Sequence, residues 1–353
     1  MAMLFEPLTL RETTFRNRLW VSPMCQFMCN DFDGMPGSWH IMNAGSYAAG
    51  GAGLVMMEST GVSADGRITI RCPGIWNDEQ QGAWATVVDL VHQLGAVAGI
   101  QLNHAGRKAS GYANGTSLAI EDGGWETMGP TANKVDGMRV PRVMDQTDID
   151  RVVKDFGIAA ARSVKAGFDV IELHAAHGYL IHQFLSPLSN ERTDEYGGSL
   201  ENRARFLLDI VREVRSNVPE STVLFVRLSA SDWAEGGVTP EEIAVVSTWA
   251  EKLGADLFDI SSGGLIKNVF ISSTPGYQVG FSETVKREGV KTAAVGKILD
   301  PQQAEDILQE GKADAVFLGR KLINDPHFPL RAAHELGVEV DYTPGPHRMG
   351  YWD

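Results

Sequence analysis

Eight short apolar runs, each followed by glycine or polar residues, recur along this chain of 353 residues. They occupy 19–23, 54–59, 96–102, 170–174, 222–228, 257–260, 291–295 and 315–318. Strands buried on both faces read as such continuous runs, and strands separated by helices build parallel sheets. Helical stretches are expected over 39–50, 79–94, 147–166, 201–217, from Thr239 onward, over 300–309 and over 325–336. Thr239-Pro240 is the clearest start, since the hydroxyl accepts from an orphan N–H and proline at the first turn has none to satisfy. Gly95 and Gly167 read as stops. Eight strands alternating with about as many helices favour a closed (β/α)8 TIM barrel over an open doubly wound sheet. The length suits one such domain over 1–353. Within it, 109–146 has no clear period and reads as a capping insertion after strand three, in the form of a hairpin lid. Residues 341–353 read as a C-terminal tail.

A barrel of this kind gathers the C-terminal ends of its strands on one face, where active sites are built. Cys25, Ser59, Gln101, His174, Arg227, Ser261, Gly296 and Gly319 fall near those eight ends in turn. The densest cluster is His174-Ala175-Ala176-His177-Gly178-Tyr179. Neutral imidazole N–H groups suit an anionic or carbonyl oxygen, and a tyrosine beside them suits proton donation. The same histidines with Cys25 and Cys29 are also candidate zinc ligands for metal-assisted hydrolysis, although no carboxylate cluster accompanies them. Gly296-Lys297 and Gly319-Arg320 follow strands seven and eight, where such barrels hold phosphate. Arg227 lies inside an apolar strand and needs an acceptor, either an acidic side chain or the electron-rich ring edge of a cofactor. Gln101 is placed to bond the same ring. No G-x-G-x-x-G follows any strand, so a nicotinamide would bind without a Rossmann unit.

The formal charge of −14 and a pI near 5.1 argue against nucleic acid. No run reaches the ~18 consecutive apolar residues of a membrane span. The first ten residues carry Glu6 and Pro7 and lack a basic start with an apolar centre. Three cysteines make no disulfide framework, which points to the cytoplasm.

Ser22-Pro23-Met24-Cys25, His104-Ala105-Gly106-Arg107-Lys108, the His174–Tyr179 cluster, and the stretch 190–203 beginning Asn190-Glu191-Arg192-Thr193-Asp194 carry a resemblance over nearly the full chain. The sequence resembles the old yellow enzyme family of FMN-dependent ene-reductases. The cysteine after Pro-Met, with Trp125-Glu126-Thr127, resembles its bacterial xenobiotic-reductase and thermophilic branch. The resemblance implies FMN, with NADPH or NADH as hydride donor in the same pocket, and ping-pong reduction of the C=C bond of α,β-unsaturated carbonyl compounds. Reduction of nitro compounds or nitrate esters is the alternative. Ser22, Pro23, Met24, Cys25, Ser59, Gln101, His174 and Arg227 would then line the flavin. Gly296, Lys297, Gly319 and Arg320 would surround its phosphate. His174 and His177 would bind the substrate oxygen, Tyr179 would protonate Cα, and Cys25 would tune the flavin. Phe27 stands where close relatives often have tyrosine, and it joins Lys108 among the expected substrate contacts. Arg348, or alternatively Tyr351 or Trp352, would reach a neighbouring subunit in a homodimer or homotetramer.

Overall fold

The computed structural model describes residues 2–350; Tyr351 and Trp352 lie outside them. A hairpin of β1 (Leu8–Leu10) and β2 (Thr13–Phe15) comes first. Then follow β3 (Leu19–Val21), α1 (Ser38–Ala49), β4 (Leu54–Gly61), α2 (Asp78–Gln93), β5 (Val97–Asn103), β6 (Met128–Gly129) and β7 (Arg142–Val143). Next are α3 (Gln146–Lys165), β8 (Val170–Ala175), α4 (Leu180–Leu185), α5 (Leu200–Asn217), β9 (Val223–Ser229), α6 (Pro240–Glu251) and β10 (Leu257–Ser261). The chain ends with α7 (Val279–Lys286), β11 (Thr292–Val295), α8 (Pro301–Gln309), β12 (Ala315–Leu318), α9 (Arg320–Asn324) and α10 (Phe328–Glu335).

The strands β3, β4, β5, β8, β9, β10, β11 and β12 close into a parallel barrel, with β12 pairing back onto β3 from Val316↔Leu19 to Leu318↔Val21. This is the (β/α)8 TIM barrel that the alternation predicts. The helix starts are chemically specified. Asn77, Asp145, Ser199, Thr239 and Asp300 each accept a backbone N–H of the helix they precede. Proline stands at the first turn of α6 and α8.

Two apolar layers hold the barrel. One lies between strands and helices, and the other fills the interior at the N-terminal end. In the second, Trp20 packs 4.7 Å from the Phe15 ring, 5.6 Å from Phe225 and 5.4 Å from Phe317. The β1–β2 hairpin therefore floors the barrel and leaves the opposite end open for the site. Truncating such a buried aromatic to alanine costs about 3–5 kcal/mol.

The structure departs from the sequence expectations in four places. The 109–146 insertion is not a hairpin, because β6 and β7 pair in parallel, Met128↔Arg142 and Gly129↔Val143. Its fold is set instead by side chains that reach backbone, such as Arg139 donating to Leu118 O at 2.9 Å and Trp125 Nε1 donating to Asp65 O at 2.8 Å. The helix expected over 325–336 begins later, as α10 at Phe328, and a separate helix, α9, ends ahead of Pro326, which holds Asp325 out of helical backbone, at φ −142°. The short helices α4 and α7 are additional. So is the β1–β2 hairpin, whose strands of three residues give too little alternation to detect.

Candidate active site

A cavity of about 410 Å³ opens at the C-terminal end of the barrel. Gln101, His174, Arg227 and Ser261 enter it from the ends of β5, β8, β9 and β10. Ser22, Pro23, Met24 and Cys25 enter from the segment after β3. His177 and Tyr179 come from the turn after β8. Gly296 and Lys297 follow β11, and Gly319 and Arg320 lie at the end of β12. Residues nearly 300 positions apart thus share one cavity, which is the convergence that the strand ends predicted.

The two imidazoles stand edge to face, with ring centroids 5.1 Å apart, and Nδ1 of His177 lies 3.5 Å from Nε2 of His174. The Tyr179 ring is 4.8 Å from that of His174. Burial pushes both histidines well below their ordinary pKa, and the positive charge of Arg227 pushes the same way. Both rings are therefore neutral N–H donors at neutral pH. Burial pushes the Tyr179 phenol well up, with Cys25 next among the causes, so it keeps its proton. Lys108 is not among the residues lining the cavity. It supports the turn from behind, donating to His177 O at 2.7 Å and Gly264 O at 2.9 Å, and its Nζ lies 4.8 Å from the Tyr179 ring centre. Burial, with Arg107 and Lys267, brings its pKa down to about 8.

Beneath these groups the barrel interior holds a charged layer. Arg227 has an acidic partner, Nε lying 3.1 Å from Oδ2 of Asp259 on the next strand, out of line for a regular hydrogen bond. Gln101 donates to Oε1 of Glu172 at 2.8 Å. Glu172 and Asp259 are fully buried. Burial raises both carboxyls; the charge of Asp259 adds to the shift in Glu172, and that of Arg227 opposes both. Sequence reasoning singled out Arg227 and missed these two. The same signal, a charged residue inside an apolar strand, marks Glu172 in Val170–Ala175 and Asp259 in Leu257–Ser261. Tyr277 and Gln278 also line the cavity. They come from a long aperiodic connection after β10 that offered no such signal.

The remaining candidates divide. Gly296 has φ +123° and Lys297 φ +49°, so the chain turns sharply where it meets the cavity. Lys297 turns its Nζ onto Ser273 O. Ser59 is buried at a register shift in β4, outside the cavity lining, and its Oγ has no partner among the described residues. Phe27 has φ +54° and also lies outside the lining. Arg348 donates to Asp341 O at 2.7 Å and Thr343 O at 3.0 Å, in its own tail and away from this cavity. Among the described residues, no group of three or more His, Cys, Asp or Glu side chains converges as a metal site. Cys29 is buried and does not join the histidines at the cavity.

The family described as NADH:flavin oxidoreductase / NADH oxidase matches residues 3–339. The NADPH dehydrogenase of Geobacillus sp. (strain WCH70) is 44% identical over 343 residues, covering 96% of each chain. Morphinone reductase superposes with a TM-score of 0.81 at 30% identity, covering 98% of each chain. An old yellow enzyme homologue from Zymomonas mobilis superposes with a TM-score of 0.78 at 29% identity, covering 96% of this chain and 94% of that one.

Proposed function

Because this chain belongs to the NADH:flavin oxidoreductase / NADH oxidase family, and within it to the old yellow enzymes, we propose that it reduces the C=C bond of α,β-unsaturated carbonyl compounds. It is an oxidoreductase that uses FMN, with NADPH or NADH as hydride donor.

The residues fit that cofactor. One end of the cavity offers the Gln101 amide and an Arg227 guanidinium whose Nε lacks an aligned acceptor, a donor set suited to the polar edge of a flavin ring. The other end offers glycine backbone at Gly296 and Gly319 beside Lys297 and Arg320, a set suited to phosphate. In this reading Ser22, Pro23, Met24, Cys25 and His174 complete the flavin's surroundings, with Ser59 behind them. Held there, FMN would supply the two-electron hydride chemistry that links the nicotinamide to Cβ of the substrate.

The chain's own residues prepare the substrate. His174 and His177 donate N–H to its carbonyl oxygen, drawing electron density away from Cβ. Each such donor contributes on the order of a few kcal/mol to stabilising the developing enolate. Tyr179 holds the proton for Cα, the position next to the polarised carbonyl. The observation that carries the reading is the meeting of His174, His177 and Tyr179 with Gln101 and Arg227 in one cavity. We place the enzyme in the cytoplasm as a homodimer or homotetramer. Three unpaired cysteines suit a reducing compartment, and no helix among the described residues is long and apolar enough to cross a membrane.

The test is an absorption spectrum taken through one anaerobic cycle. Flavin colour should bleach with NADPH and return with 2-cyclohexenone. Return with oxygen alone would overturn the substrate class.

A further inference from the structure

The peptide unit between His177 and Gly178 is clamped on both edges. Its carbonyl accepts from Lys108 Nζ at 2.7 Å, and its N–H donates to Nδ1 of His182 at 2.9 Å. The next carbonyl, Gly178 O, accepts from Gln183 Nε2 at 2.8 Å. His182 and Gln183 are adjacent in α4, and both are fully buried. An Nδ1 that accepts a hydrogen bond carries no proton, so the proton of the His182 ring sits on Nε2. That atom lies 3.1 Å from Oδ1 of Asp232, which follows β9, out of line for a regular hydrogen bond. Asp232 is anchored in turn, accepting from Ser186 Oγ at 2.7 Å and from Val238 N at 3.0 Å.

The turn needs holding. His177 sits at φ +58°, a left-handed conformation that is strained for a residue with a side chain. Gly178 is at φ +74°, and a Cβ there would lie 2.5 Å from Gly264 O. Rotating the 177–178 peptide would swing the His177 and Tyr179 side chains together, because one residue flanks it directly and the other is next but one. We propose that His182, packed against Asp232, is a positioning residue for this reaction. Its Nδ1 fixes the Gly178 amide, and through it the placement of His177 against the substrate oxygen and of Tyr179 against Cα. The proposal rests on the roles given to His177 and Tyr179 above.

The test compares wild type, His182→Ala and His182→Asn, each purified with FMN, in anaerobic stopped flow. The asparagine Oδ1 stands near the place of Nδ1 and can accept from Gly178. Expected for His182→Ala is reoxidation by 2-cyclohexenone slowed roughly 100-fold, the loss that an ångström of misplacement produces. Reoxidation by oxygen should be unchanged, since it needs neither side chain. His182→Asn should recover most of the enone rate. An alanine variant as fast as wild type, or an asparagine variant as slow as alanine, would overturn the proposal. If wild type itself is not reoxidised by the enone, the assigned activity is what fails. The same three proteins are then compared by titration with p-hydroxybenzaldehyde, where positioning predicts weaker binding for alanine and recovery for asparagine. Nitrogen NMR of histidine-labelled wild type tests the clamp without any variant. A His182 protonated on Nδ1 would remove the Gly178 bond and the proposal with it.

Discussion

Nε2 of His177 lies 2.8 Å from Oγ of Ser261. The serine has its own acceptor available, because Oε1 of Gln278 lies 3.4 Å from its Oγ and is held in that direction while Nε2 of Gln278 donates to Val295 O at 3.0 Å. Ser261 can then receive the His177 N–H, and an incoming ligand oxygen must share that proton. Ser261→Ala removes the competitor. Binding of p-hydroxybenzaldehyde, followed by the flavin's long-wavelength band, should tighten by about fivefold, the equivalent of one ordinary hydrogen bond. Unchanged or weaker binding would mean that Ser261 aligns the ring rather than competing for it.

Tyr179→Phe separates the two half-reactions. Flavin reduction by NADPH should be nearly unchanged, because no proton from Tyr179 enters it. Reoxidation by an enone should slow by ~10²-fold or more, the usual contribution of a placed general acid. Since burial holds the phenol well above its ordinary pKa, the wild-type oxidative rate should be flat from neutral pH to mildly alkaline pH. Equal slowing of both half-reactions in the phenylalanine variant would contradict the proton-donor role.

The barrel and most of its cavity were legible because one physical rule generates both. Buried parallel strands must be apolar, so any polar residue near a strand end stands out, and closure brings those ends together. Gln101, His174, Arg227, Gly296 and Gly319 were found that way. Glu172 and Asp259 carry the same signal, but a buried arginine is satisfied by an acid or by a cofactor edge alike, and the sequence does not say which of the two acids meets it. Tyr277 and Gln278 were beyond reach. Their loop has no period, and only the closed barrel carries it over the cavity. The insertion misled for a related reason. Arg139 and Trp125 fix it through bonds to distant backbone, and such long-range contacts leave no local pattern.

Cys25 should be a poor nucleophile. Burial pushes its thiol well above the ordinary range, with Cys72 and Glu58 adding to the shift and Arg227 opposing it. Burial likewise raises Cys72 to about 11. The thiolate is the reactive form. Iodoacetamide at pH 7.5 should therefore leave the native protein unmodified over the time that fully alkylates the unfolded chain, as read by intact mass. Rapid single alkylation at Cys25 would show a stabilised thiolate in the site and would revise the electrostatics given for it.

His104 adds its own share to the acid limb of stability, beside those of His174 and His177. Burial brings its pKa down to about 4, the charge of Arg151 pushes the same way, and Asp65, with Oδ1 3.9 Å from Nε2, pulls only part of the way back. Unfolded, the ring titrates near an ordinary value of about 6.5. Between these two values the unfolded chain binds a proton that the folded chain refuses, so stability falls as pH falls. The contribution is fully present above about pH 6.5 and is lost progressively down to about pH 4, amounting to a few kcal/mol. His104→Gln, which cannot titrate, should flatten the acid limb of urea-unfolding free energy against pH by up to ~1.4 kcal/mol per pH unit in that window. Carboxylate contributions are common to both proteins and cancel in the difference. An unchanged slope would mean that His104 is protonated in the folded chain, paired with Asp65 as an ion pair.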